Sequence, residues 1–314
     1  LNRILVIRGG AIGDFILTLP AIKALRDAYP GKRIDILGHK HIVALAEKRF
    51  YADGIRPIES AELSRFFAKD ADLPPHLANY FAVFDLIVSY LYDPDLIFET
   101  NLRRSGAQRI VLGPAKIENG SHAVHQLARP IEDLNITISD FAPKLFPSIE
   151  DRRHAQEFRA GLNPPIVAFH PGSGGQGKTW PIQNWIDLGD QLLAGSGGSL
   201  VIVSGEADQD QRRRLQLLWR SQRVRFANCR PLPELAALLE NTIFIGHDSG
   251  ISHLASAAGA KSIVLFGPTD PAVWAPLNEN ARVIRASGGN LAELAVDLVR
   301  EALDQELMRI GIST

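Results

Sequence analysis

Chemically versatile residues fall directly after strand-like apolar runs at several places in this 314-residue chain. The most telling is His247-Asp248-Ser249-Gly250-Ile251-Ser252-His253-Leu254-Ala255, which follows Thr242-Ile243-Phe244-Ile245-Gly246 and continues into a small-residue helix ending at Gly259. A strand that stops at Asp-Ser-Gly and turns into a helix presents unpaired backbone N–H groups and a positive dipole end, which suits an anionic ligand. Helical spacing buries Leu254, Ala255 and Ala258 and leaves Ser249, Ser252 and His253 for a cleft. The plainer reading makes Asp248 an ordinary N-cap with no ligand.

A second stretch runs Pro171-Gly172-Ser173-Gly174-Gly175-Gln176-Gly177-Lys178-Thr179-Trp180-Pro181 after the run Ile166–His170. Its glycines, Ser173 and Lys178 can wrap phosphate oxygens with N–H groups and one ammonium. Gly172, Gly177, Lys178 and Thr179 also satisfy the P-loop expression, but a P-loop enters its helix at the Lys-Thr pair, whereas Pro181 at the expected first helical position delays it. Phosphate binding is retained and nucleoside triphosphate hydrolysis rejected. Arg8-Gly9-Gly10-Ala11-Ile12-Gly13-Asp14 follows the run Ile4–Ile7, with Asp14 placed to enter a cleft or to serve as a first-turn acid. Gly9, Gly10 and Gly13 fit the dinucleotide fingerprint only loosely, and only Asp35 could be its distal acid. Glu206, after Ser204-Gly205, could accept from a ribose or cap the next helix.

The elements that must carry these residues alternate between β-rich and helical patterns, the signature of parallel sheets covered by helices. Strands are expected at Ile4–Ile7, Arg33–Leu37, Leu86–Ser89 and Arg109–Leu112, then at Ile166–His170, Leu200–Ser204, Val224–Ala227, Ile243–Gly246 and Ser262–Phe266. A long helix over about 13–29 contains Pro20, which should kink or break it. The charged helix Ile149–Ala160 and Asn163-Pro164-Pro165 put a boundary near 150–165. This gives a first domain over 1–155, a second over 156–290, and a terminal helix within 291–314 that could pack back on the first. Two such α/β domains would face a central cleft at the carboxyl ends of their sheets.

Composition narrows the function. A net charge of −1 argues against nucleic acid, and the single Cys229 excludes an intrachain disulfide framework and a multi-cysteine zinc site. No apolar stretch is long enough to span a bilayer, so the expectation is a cytoplasmic protein, with peripheral contact at the inner membrane surface left open. Asp93-Pro94-Asp95 looks like a metal clamp but reads as turn chemistry, and His39-x-His41 and His122-x-x-His125 lack a third ligand.

Taken together, Gly13-Asp14, Lys178-x-Trp180-Pro181, Gly205-Glu206, the Leu232–Leu239 helix, Asp248-Ser249-Gly250-x-x-His253 and Phe266-Gly267-Pro268-Thr269 resemble the ADP-heptose:lipopolysaccharide heptosyltransferases, glycosyltransferase family 9. The resemblance spans nearly the whole chain in order. It implies a GT-B fold of two Rossmann-like domains and an inverting, metal-independent transfer with no cofactor. ADP-sugar would be the donor substrate, bound in the second domain, and a lipopolysaccharide-type glycan would be the acceptor, met by the first domain through the loop of Gly9, Gly10 and Gly13. Asp14 matches the catalytic base. Lys178, Ser173 and Gly174 match diphosphate contacts that assist catalysis, and Ser249 and Gly250 add N–H groups. Glu206 matches a ribose contact, and Asp248 and His253 lie near the donor sugar and phosphates. The rival readings are another GT-B nucleotide-sugar enzyme, with a different donor or an epimerase activity, and a degenerate sugar-nucleotide-binding protein.

Overall fold

The structure, a computed structural model, describes residues 1–172, 175, 177–195 and 198–311. It divides into two compact units, Leu1–Phe141 and Ala142–Thr314.

In the first unit, β1 (Arg3–Arg8), β2 (Arg33–Gly38), β3 (Gly54–Pro57), β4 (Leu86–Ser89) and β5 (Ile110–Leu112) form one sheet in the order β3-β2-β1-β4-β5. Every pairing in it is parallel. Ile4, Leu5, Val6 and Ile7 are buried on both faces of β1, which explains why that strand is an unbroken apolar run rather than an alternating one. On one face Leu5, Ile7 and Leu37 pack with Phe66, Phe81, Phe84 and Phe98. The helix Ile12–Ala28 continues through Pro20, so the expected break does not occur. Proline lacks an N–H for the preceding turn and crowds its carbonyl, and burial of Phe15, Ile16, Leu17 and Leu19 outweighs that cost.

The second unit holds β6 (Ile166–His170), β7 (Ser199–Ser204), β8 (Val224–Asn228), β9 (Ile243–His247), β10 (Lys261–Phe266) and β11 (Ala281–Arg285). Their order is β11-β10-β9-β6-β7-β8, again parallel throughout. In each sheet the strand order reverses beside the unit's first strand, between β1 and β4 and between β6 and β9. Loops leaving neighbouring strands at such a reversal diverge to opposite faces, which opens a crevice at the carboxyl ends.

The sequence reading omitted β3 and β11. Both are edge strands whose residues are half-buried or exposed, carry arginines, and lack the apolar run of the inner strands. The charged helix Ile149–Arg159, which straddles the expected boundary at 155, packs against the helix Leu232–Leu239, and Arg152 pairs with Glu240 at 2.7 Å. It therefore belongs with the second unit, whose limit falls earlier, at Ala142. In the terminal helix Val296–Arg309, Val299, Ala302, Leu303 and Leu307 join the core of the second unit around Trp180 and Trp185. All five tyrosines lie in the first unit and all four tryptophans in the second.

Candidate active site

In the second unit the strand-order reversal brings the loop after β6 beside the loop after β9. Lys178 Nζ donates to Asp248 Oδ2 at 3.0 Å, and the Thr269 hydroxyl donates to the same oxygen at 2.7 Å. Asp248 is thus not the N-cap. The helix Gly250–Ala257 begins after Ser249, whose backbone is extended and whose side chain makes no capping bond. The N–H groups of Ser252 and His253 reach the Ser249 carbonyl, while Gly250 and Ile251 occupy first-turn positions whose N–H groups have no partner within a helix. The Ser249 hydroxyl is shielded and has no hydrogen-bond partner among the described residues. The site therefore joins an ammonium with two N–H donors to spare and an uncapped helix terminus, an arrangement suited to phosphate oxygens.

His253 is buried on that helix rather than turned to solvent. Glu206 is exposed at the start of the turn Glu206–Asp208, just past β7, as expected for a residue at a sheet carboxyl end. Ser173 and Gly174 lie outside the described residues. Asp35 is not a strand-end acid: it is buried within β2, where Arg33 Nε donates to it at 2.9 Å.

Behind Lys178 lies a polar network that sequence reasoning missed. His247, fully buried, accepts the Trp180 N–H at Nε2 (2.8 Å), and its Nδ1 contacts the Gly172 carbonyl at 3.1 Å. Because a carbonyl can only accept, Nδ1 carries the proton and the ring is neutral. Burial pushes its pKa down to about 4, against the opposing pull of the Gly172 carbonyl. His170, at the end of β6, is also buried. Its Nε2 lies 3.8 Å from Asp208 Oδ2, and burial holds its pKa down despite that carboxylate. Asp208 accepts the Gly205 N–H at 2.8 Å and lies so close to Gly172 that a Cβ there would meet Oδ1 at 2.1 Å. The available signal was a histidine closing each of two adjacent inner strands, but the partners of His247 are 67 and 75 residues away in the chain.

In the first unit Asp14 stands in the first turn of the helix that follows β1. Its Oδ2 accepts the Ala11 N–H at 2.9 Å, and its Oδ1 lies 3.5 Å from Arg8 Nη2. Arg8 is buried, which lowers its pKa while Asp14 opposes the shift, and its Nε donates to Thr18 Oγ1 at 3.1 Å. The Asp14 side chain remains 33% exposed and so is open to solvent. Gly10 adopts φ of +88°, and a Cβ there would stand 2.7 Å from Asp14 Oδ2. Gly9 faces Leu91, and Gly13 lies within the first turn of the helix. Asp93 caps the helix Ile97–Arg104, accepting from the N–H groups of Phe98 and Glu99, which confirms its structural role. A cavity of about 460 Å³ lined by Arg159, Pro165, Thr242 and Lys261 opens at the amino ends of β6, β9 and β10, away from these residues.

Two doubly wound parallel sheets in one chain, each with its polar loops at the strand-order reversal, give the architecture of the GT-B fold. The sequence profile of glycosyltransferase family 9 (heptosyltransferase) matches residues 109–299, and the chain belongs to that family. It is 23% identical to lipooligosaccharide heptosyltransferase 2 of Haemophilus ducreyi, over 98% of this chain and 95% of that one. It is 24% identical to lipopolysaccharide heptosyltransferase 1 of Escherichia coli O18:K1:H7, over 96% and 97%. Among solved structures, a family 9 glycosyltransferase from Veillonella parvula superposes with a TM-score of 0.82 at 19% identity, covering 98% of this chain and 97% of that one. E. coli ADP-heptose lps heptosyltransferase II gives 0.77 at 18% identity, covering 98% and 99%. These superpositions establish a shared fold.

Proposed function

We propose that this chain is an inverting heptosyltransferase that moves heptose from ADP-heptose to a lipopolysaccharide core acceptor. The observation that carries the proposal is the Lys178–Asp248 pair beside the uncapped helix at Gly250, in a member of a heptosyltransferase family. A related E. coli heptosyltransferase has been solved with ADP and shares the fold at a TM-score of 0.73, with 19% identity.

In this reading the second unit binds the donor. Lys178 and the N–H groups of Gly250 and Ile251 hold the diphosphate, Ser173 and Gly174 add loop contacts, Glu206 receives the ribose, and Asp248, Ser249 and His253 shape the sugar and phosphate end. The first unit, with Gly9 and Gly10 in its loop and Gly13 in the first helical turn, meets the acceptor. Asp14 takes the proton from the acceptor hydroxyl as that oxygen bonds to the anomeric carbon from the face opposite the leaving group. The bond from the anomeric carbon to phosphate oxygen breaks, ADP departs with the electron pair, and Lys178 offsets its growing negative charge. No helix among the described residues is long and apolar enough to cross a membrane, and the enzyme is proposed to meet its lipid-linked acceptor peripherally at the cytoplasmic face of the inner membrane.

The test is calorimetric titration of ADP, UDP, GDP and NAD into the purified protein and into Lys178→Ala. ADP should bind the parent selectively, and the variant should lose about 1.5–3 kcal/mol of donor binding, as for a hydrogen bond to a charged group. Preference for another nucleotide would reassign the donor. Absence of nucleotide binding would favour a degenerate binding module.

A further inference from the structure

The loop that carries Lys178 follows β6 and runs from Gly172 to Trp180, where the chain rejoins the body of the second unit. Both points end on a single imidazole. His247 receives the Trp180 N–H at 2.8 Å and holds the Gly172 carbonyl at 3.1 Å, so one side chain closes the base of the loop. Trp185 packs edge-on against the ring with centroids 5.4 Å apart, and Trp180, which also packs on Trp185, is tied by its indole N–H to the Leu294 carbonyl at 2.8 Å. The next residue, Asp248, binds the Lys178 ammonium. Two consecutive residues at the end of β9 thus fix the loop at its base and at its charged side chain.

We infer that His247 is a positioning residue for the donor: as the neutral Nδ1–H tautomer it clamps Gly172 and Trp180 and so sets where Lys178 presents its charge. The inference rests on the reading of Lys178 as a diphosphate contact. His247 touches no substrate and acts through the loop alone. Only a neutral ring can do this, since an imidazolium has no lone pair for the Trp180 N–H. The titratable groups around it agree, because His170 is buried and uncharged, and Asp208 and Asp248 are engaged by the Gly205 N–H and by Lys178. The clamp should affect the donor and leave the acceptor alone, as its partners all lie in the second unit.

Two substitutions separate positioning from bulk stability. His247→Phe keeps a ring against Trp185 and removes both bonds, whereas His247→Gln retains a carbonyl that can accept from Trp180. Calorimetry with ADP should show a dissociation constant about tenfold higher for His247→Phe. His247→Gln should fall between Phe and the parent. In steady-state assays the donor KM should rise while the acceptor KM stays within twofold. Unchanged ADP affinity in a folded His247→Phe variant, or equal rises in both KM values, would overturn the inference. Nitrogen-detected NMR of the parent's imidazole gives a readout that needs no substitution: a neutral Nδ1–H ring at pH 7 is expected, and an Nε2–H tautomer or an imidazolium would overturn it. If the parent and Lys178→Ala bind ADP alike, the reading of the donor site fails instead, and the NMR result still stands on its own.

Discussion

Asp14 has two duties in the first unit that bear on one carboxylate. One oxygen accepts the Ala11 N–H and so satisfies a free donor at the start of the helix, while the other faces Arg8. Together these fix the carboxylate's orientation, and the side chain stays partly open to solvent. Asp14→Asn keeps an oxygen for the Ala11 N–H and loses the ability to take a proton. It should reduce transfer by about 10²-fold or more, the usual weight of general base catalysis, while ADP affinity measured by calorimetry stays within a few fold. Surviving transfer would remove Asp14 from the role of base. Asp14 was legible in the sequence because a carboxylate four residues past a Gly-Gly pair, after a buried strand, has few places to go. Arg8 as its partner was not, since nothing in a linear reading shows that an arginine at a strand end is drawn inward.

Elements decide what the residues cannot. Inner strands were legible because burial on both faces leaves an apolar run, and the helix Ile12–Ala28 was legible from its spacing. Strands β3 and β11 were not, because none of their residues is fully buried and their arginines interrupt any apolar run. The loop after β6 was recognisable from its glycines, yet the reason for Gly172 in particular appears only in three dimensions: the Asp208 carboxylate occupies the space a Cβ would fill, at 2.1 Å. Gly172→Ala should therefore push Asp208 or the loop aside. We expect weaker ADP binding and a lower Tm, with the acceptor KM unchanged, and pairing it with Asp208→Ala should recover part of the Tm, since the double variant removes the clash. If Gly172→Ala alone matches the parent in both measurements, the close packing of loop and turn is not required.

At the scale of the whole molecule, two buried neutral histidines make folding sensitive to acid. In the unfolded chain each binds a proton below its ordinary pKa near 6.5, whereas burial holds both well below that when folded, His247 at about 4. The unfolded state then binds more protons between those limits, so stability is at its plateau above about pH 6.5 and falls as pH drops toward about 4. Chemical denaturation at a series of pH values should show this decline, and His247→Gln should flatten it. A slope identical in parent and variant would mean that His247 is already protonated in the native state.

The separation of tyrosines into the first unit and tryptophans into the second gives the molecule two optical channels. Tryptophan emission arises only from the unit proposed to bind ADP, with Trp180 and Trp185 packed beside the loop that holds Lys178. Selective excitation of indole therefore follows one unit through titration or unfolding without a dye or an engineered label, and tyrosine emission follows the other. Curves that coincide would report a single cooperative transition, whereas curves that part would date the loss of each unit within the same sample.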